Sequence, residues 1–484
     1  MDKLEGHSSY YIIFVLALGV FMVNLDASIV NIVLPTMAKL FGVDMYEVSR
    51  LVLTYLLSFS GFLLIFGRLS DIYGANKIFG YGFLVFTLSS VLCAISPSFI
   101  MLELSRFLQG IGAAMLASTY PALVIKLLPA EIRGRAFGFI TVAGGIGFAM
   151  GAPVGGYLTN YFNWRWIFWI NVPIGIFSLI SSRSMISRKS ENEITSGKFD
   201  KTGAILSFGG LALITYLLNS GKNYPLLSAV PICGIIIFTA MFVYFLKTEK
   251  SCPEPLLDLS LFSNKNFNYS FAANILVVMT LDGMNFLFPF FFELSRKMTP
   301  DKIGLLLMLF PLISIFISPI AGYFADLKGP RKVCVTATII LAVSTAMLCY
   351  FNLNTSIYFI ITTLLVFGCA LAMFFTANTS LMMCHAPAGR EGITSAMVSF
   401  NANLGTLLGI CLFESVFSYK LPAGIITGKL LEGVPGIIAE SFMRGAMFAL
   451  VISIIAAKCS ISAHEKNNGS VSINEEKLTP MTAE

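Results

Sequence analysis

YIIFVLALGVFMVNLDASIVNIVL, residues 11–34, is an apolar run in which Asn24, Asp26, Ser28 and Asn31 stand out as polar. About 20 such residues carry a helix across a hydrocarbon layer roughly 30 Å thick, so the run reads as a membrane span. It is longer than a signal-peptide core and is followed by Pro35 rather than a small-residue cleavage site, so it is expected to stay in the mature protein. Thirteen further runs share its character. Five follow at 50–67, 77–96, 99–127, 136–159 and 166–182, and eight more at 202–219, 228–246, 268–293, 304–325, 333–351, 357–378, 393–418 and 441–462.

Composition agrees with this reading across the whole chain. Only 12% of the 484 residues are charged, against about 25% in a soluble domain. Counted with glycine and without tyrosine, roughly 61% are apolar, where soluble domains show about 45–50%. A soluble enzyme on a tether, a single-span receptor, a coiled coil and a disordered chain are all excluded. The net charge of +6 is small for the length, and the basic residues lie in short clusters between runs, so no nucleic-acid partner is expected. Nine cysteines are scattered without CxxC spacing and read as small apolar residues. No GxxxxGK[ST] loop for ATP occurs. There is no HExxH and only three histidines, so neither a metal site nor an enzyme activity is expected.

Alternate loops hold 21 and 10 of the 32 Lys and Arg residues, and Arg106 alone lies inside a span. The richer loops belong on the cytoplasmic side, which places both termini there in a multi-pass protein of the cell membrane. Gly67, Asp71, Gly74 and Lys77 follow the second span with the spacing G-x3-D-x2-G-x2-K, and Gly322, Asp326, Gly329 and Lys332 repeat it after the tenth. The chain therefore divides into a six-helix half (1–183), a linker (184–201), two inserted helices (202–247), a second linker (248–267), another six-helix half (268–463) and a disordered tail (464–484). Paired halves around a midplane site are a common plan for secondary transporters.

A charge at mid-membrane costs at least about 2.5–3.5 kcal/mol and needs a reason. Asp26 shares a helical face with Met22, Ile29 and Val30, and Asn24 and Asn31 line the neighbouring face; both stripes are expected to line a polar cavity. Asp26 would there exchange a proton for a cationic substrate, or else serve a fixed ion pair. Arg106, which stays protonated, would tune a nearby carboxylate, or pair with Glu103 one turn earlier. Asp282, with Asn285 three residues on, reads as a second proton or cation site, or as an acid held by pairing. Glu414 aligns with Asn403, Leu407 and Ile410 near the outer end, where snorkelling also explains it. Gly144, Gly145, Gly147, Gly151, Pro153, Gly155 and Gly156 crowd the fifth span, at a cost in helix propensity that close packing or bending must offset.

These residues also form a wider pattern. Leu25-Asp26-Ala-Ser-Ile-Val-Asn31-Ile-Val-Leu-Pro35, the Arg106 segment, the glycine-rich fifth span and Trp164-Arg165-Trp166-Ile-Phe-Trp-Ile-Asn171-Val-Pro173-Ile-Gly175 resemble the fourteen-span drug:proton antiporters of the major facilitator superfamily. Glu254-Pro-Leu-Leu-Asp258-Leu-Ser-Leu-Phe262 is similar to that branch too. The resemblance implies an all-α polytopic protein of fourteen transmembrane helices, two six-helix halves plus two central ones, exporting small molecules in exchange for protons. It gives Asp26 and Arg106 the proton-coupling roles. Gly147, Gly151, Pro153, Gly155 and Gly156 become the antiporter motif, and Gly67, Asp71, Gly74 and Lys77 the loop motif that governs the conformational switch. Ile72, Ala75 and Asn76 stand where most relatives are basic, and Pro153 sits one place later than usual, which implies a displaced bend.

The expected function is multidrug efflux of amphipathic or cationic compounds by alternating access. An exporter of one metabolite, and less favourably an uptake symporter, are the alternatives on the same fold. Partners are then a small-molecule substrate and the lipid bilayer, the coupling ion is the proton with no other cofactor, and the protein is expected to be a monomer.

Overall fold

The computed structural model describes residues 2–186, 201–219, 228–251, 259–384, 391–419, 421–422 and 434–463. Most of the first predicted linker, residues 252–258 of the second and the tail at 464–484 lie outside them. In lipid every backbone polar group must find a partner within the protein, and a helix pairs them within one segment. Among the described residues the helices are α1 (Asp2–Asn31), α2 (Leu34–Phe41), α3 (Met45–Tyr73), α4 (Ala75–Ile95), α5 (Phe99–Leu127), α6 (Ala130–Tyr161), α7 (Trp166–Trp169) and α8 (Asn171–Ile186). They continue with α9 (Lys201–Asn219), α10 (Ala229–Ser251), α11 (Lys265–Phe290), α12 (Pro300–Leu307), α13 (Leu309–Lys328), α14 (Pro330–Leu348), α15 (Ile357–Cys384), α16 (Glu391–Ser418) and α17 (Val434–Ser462).

Two breaks depart from the run boundaries, and proline explains both. Pro35 has no N–H to give the carbonyl four residues back and crowds it, so α1 stops at Asn31 and the chain turns into α2. Pro311 stands in the same relation to Leu307, where α12 gives way to α13. Among the described residues eleven helical stretches are long and apolar enough to span, Pro300–Lys328 (α12 with α13) counting as one, and α3, bent by 44°, makes twelve. Trp166–Ser182 and Phe208–Leu218 are shorter apolar helices at the sixth and seventh predicted positions, so the set is compatible with fourteen crossings.

The packing repeats. Within the first half α1 packs on α6, α4 and α3 on α5, and α8 on α4; within the second, α11 packs on α16, α14 and α13 on α15, and α17 on α14. The loop motifs repeat too: Gly74 (φ +92°, ψ +126°) and Gly329 (φ +87°, ψ +141°) each close one helix and open the next. Such positive φ is open to glycine at little cost, and this accounts for the motif's third position. The halves meet through α6 on α12 and through α3 on α16, and α9 lies against both α3 and α16.

Candidate proton and substrate site

Asp26 on α1 and Arg106 on α5 are buried, at 0% and 1% exposure. The Arg106 Nη1 donates to Asp26 Oδ2 at 2.6 Å and to Gln109 Oε1 at 2.7 Å, and its Nε to the Leu51 carbonyl at 3.4 Å. The Gln109 amide donates to Asp26 Oδ1 at 2.8 Å and to Ser90 Oγ at 2.9 Å. Asn171, first residue of α8, donates to Asp26 Oδ1 at 3.0 Å. The guanidinium lies 4.2 Å from the Tyr55 ring centroid and 6.0 Å from that of Phe168. Opposite charges plus cation–π contact offset the desolvation that an isolated ion would suffer here.

Three side chains thus donate to one carboxylate, Arg106 to Oδ2 and Gln109 and Asn171 to Oδ1. A proton added to Asp26 would remove the attraction that holds Arg106, so the constellation can couple a proton to a change in packing between α1, α5 and α8. The alternative pairing of Arg106 with Glu103 does not occur. Glu103 instead takes Arg50, whose Nε donates at 2.9 Å and whose Nη2 makes a second bond. Both arrangements put the partner on a neighbouring turn or helix, and depth separates them: Glu103 lies within the first turns of α5.

The expectation that the Asp26 stripe lines a cavity is corrected. Met22, Ile29 and Val30 are buried core residues, because α6 covers that side with small residues: a Cβ at Gly147 would approach the Phe21 carbonyl oxygen to 2.5 Å, and one at Gly151 the Ile29 nitrogen to 2.9 Å. Asn24 and Asn31 are half-buried on the neighbouring stripe with Val20 and Ala27. The Asn24 amide returns to the Val20 carbonyl at 2.8 Å.

Asp282 and Asn285 lie on α11 and Glu414 on α16, in the other half. Asp282 is half-buried and its Oδ2 accepts from Thr406 Oγ1 at 2.6 Å; Asn285 is buried. Glu414 is 2% exposed, so it does not snorkel: its turn of α16 is enclosed, with Phe413 against Gly283 and Ser415 donating to the Leu218 carbonyl of α9 at 3.3 Å. Gln109, Asn171, Tyr55 and Thr406 were not singled out from the sequence. Gln109 lies three residues after Arg106, on its face, and Asn171 ends the aromatic segment at 164–170; those were the available signals.

Asp71 pairs with Arg68 on α3 at 3.8 Å, near Gly67, and Lys77 opens α4. Asp326 is exposed near the end of α13, after Gly322, and Lys332 opens α14. α6 runs unbroken past Pro153. Its glycines divide their contacts: Gly147, Gly151 and Gly155 meet α1, whereas Gly156 meets Pro300 and Ala152 meets Gly304, both on α12 of the other half. Further along this face, Gly138, Thr141 and Gly145 are exposed. The halves therefore close over α6 at the α2/α12 end and part at the end that carries Gly74 and Gly329. At the closed end, Lys39 Nζ lies 2.7 Å from Glu293 Oε1, joining α2 to the turn after α11.

A sequence model of the Major Facilitator Superfamily matches residues 16–410. The riboflavin transporter RibZ of Clostridioides difficile is 30% identical over 85% of this chain and 89% of its own length. The multidrug resistance protein Stp of Mycobacterium tuberculosis is 30% identical over 84% of this chain and 75% of its own. Among solved structures, the nucleoside transporter NupG superposes with a TM-score of 0.67 at 12% identity, covering 94% of this chain and 100% of that one. The repeated helix packing, the paired loop motifs and the match over most of the sequence have one conclusion: the chain belongs to the major facilitator superfamily and is a membrane transporter, not an enzyme.

Proposed function

We propose that the protein is a proton-coupled antiporter that exports small amphipathic or cationic compounds. The observation that carries this is the sealed Asp26–Arg106 pair, a charge couple that a single proton would dissolve. Asp26 takes the proton and Arg106 answers it. Asp282, half-buried on α11, receives the substrate cation, with Asn24 and Asn31 of α1 as further polar contacts. Orientation follows the basic loops: both termini and the Gly74 and Gly329 turns face the cytoplasm, so the arrangement described is open inward. The loop motifs then hold the inner ends of the helices together in the opposite state. The halves span 1–183 and 268–463, and the protein works as a monomer in the cell membrane.

The energetics suffice. One charge moved through about 100 mV yields roughly 2.3 kcal/mol, and a tenfold concentration ratio costs about 1.4 kcal/mol. One proton can then sustain roughly a fortyfold gradient of a neutral substrate before any pH difference is added.

A second reading, a carrier for one metabolite, is favoured by the similarity to a riboflavin transporter. Transport of a fluorescent lipophilic cation into inside-out vesicles under an imposed proton gradient separates the two. Proton-driven accumulation that Asp26→Asn abolishes supports the efflux reading. A well-inserted wild type that accumulates no cation, but does accumulate a single flat aromatic metabolite, supports the other.

A further inference from the structure

Two buried polar atoms beside Asp26 lack a hydrogen-bond partner among the described residues, the Tyr55 hydroxyl and the Asn171 amide oxygen. Gln109 cannot change orientation cheaply, because its Oε1 accepts from Arg106 while its nitrogen serves both Asp26 and Ser90. Asn171 differs. Its nitrogen donates to Asp26 at 3.0 Å, yet its Oδ1 is buried and accepts no hydrogen bond among the described residues. A buried amide oxygen without a partner costs about 1–3 kcal/mol and calls for an explanation. The orientation itself is set by charge, since turning the amide over would face its oxygen to an anionic oxygen. Once Asp26 carries a proton, that repulsion becomes a hydrogen bond.

We infer that Asn171 is the positioning residue that follows the charge on Asp26, donating to the carboxylate and, after its amide turns over, accepting from the carboxyl. The turn exchanges Nδ2 and Oδ1 within the same volume, so it needs no shift of α8. It also gives the proton a bonded place at the moment Arg106 loses its counter-charge. The titratable groups that face Asp26 are Arg106 from α5, Tyr55 from α3 and Cys93 from α4; α6 presents glycines to α1, and α8 presents Asn171 itself. Of the two amides that donate to the carboxylate, Asn171 is the one that can turn over without breaking a bond to a third group.

This inference rests on the reading that Asp26 exchanges protons, and the test treats the two separately. Infrared difference spectra of the purified full-length protein in lipid are recorded across a pH titration, without substrate. The carboxyl C=O band that appears on acidification and is missing in Asp26→Asn belongs to Asp26. If no such band exists, the proton reading fails and the inference with it. With the band assigned, Asn171→Leu is expected to move it to higher frequency, since the acid has lost its acceptor. The midpoint should rise by about one pH unit, because the lost bond to the charged form outweighs the lost bond to the neutral one. Asn171→Ser, whose hydroxyl both donates and accepts, should return the band toward the wild-type frequency. Should Asn171→Leu fail to fold, Asn171→Ala is read the same way. A raised midpoint with an unmoved band would make Asn171 a fixed donor and overturn the turning amide, as would no change in either quantity.

Discussion

A buried ion pair is best probed by removing one charge at a time. Asp26→Asn leaves Arg106 charged and enclosed, at a cost of about 3 kcal/mol. The purified variant should therefore insert but unfold at lower temperature, and vesicle transport should vanish. Adding Arg106→Gln removes the orphan charge, so thermal stability should largely recover while transport stays absent. A single variant as stable as the wild type would show that the pair does not hold the half together. Asp282→Asn should raise the concentration of a cationic substrate needed for half-maximal transport by about tenfold, the equivalent of one charge-assisted contact, with thermal stability little changed; unchanged half-saturation would remove Asp282 from the substrate site. Asp26 and Arg106 were both legible as costly charges inside apolar runs, but their partnership was not. They lie 80 residues apart, and helical spacing alone made Glu103 an equally good partner for Arg106. Asn171 was hidden for a related reason: a neutral amide costs too little in a membrane to demand an explanation.

At the scale of the helix, α6 shows how a glycine run can serve two neighbours. A Cβ at Gly147 meets the carbonyl oxygen of Phe21, a backbone atom that cannot swing aside, whereas Gly145 has nothing within 4 Å. Gly147→Ala should consequently separate α1 from α6 and lower stability by about 1–3 kcal/mol. Gly145→Ala should be neutral or stabilise by up to about 1 kcal/mol, through helix propensity alone. Thermal unfolding of the two variants side by side decides this, and equal losses would refute the packing argument. Helix positions were readable throughout because each span must satisfy its own backbone, which forces long apolar runs. The breaks at Met308 and before Leu34 were less so: Pro35 and Pro311 were visible, but a proline inside a helix can be tolerated, as Pro153 and Pro289 are, and only the surrounding packing decides. The enclosure of Glu414 likewise came from neighbours on other helices.

What holds the two halves in the described arrangement lies at one end. α12 fills the small-residue face of α6 there, and Lys39 reaches across to Glu293, with Thr36 beside it at 3.4–3.5 Å from the same carboxylate. α9 adds a further bridge, since Phe208 packs on Phe62 and Phe107 of the first half, at 5.3 and 6.4 Å between ring centroids, while Leu218 accepts from Ser415 of the second. Any rocking of the halves must carry α9 along or slide past it. The Lys39–Glu293 pair is the most accessible of these contacts, with Lys39 45% exposed, so it contributes about 1 kcal/mol at most. That is still a fivefold change in population between two states. Glu293→Gln should therefore shift the protein about fivefold toward opening at this end, read as a longer distance between spin labels on α2 and α12, and added salt should mimic part of the shift by screening the wild-type pair. Exchanging the charges, Lys39→Glu with Glu293→Lys, should restore the wild-type distance distribution. If the exchanged pair opens as far as Glu293→Gln alone, the attraction is not what closes this end, and the α6–α12 packing must account for closure by itself.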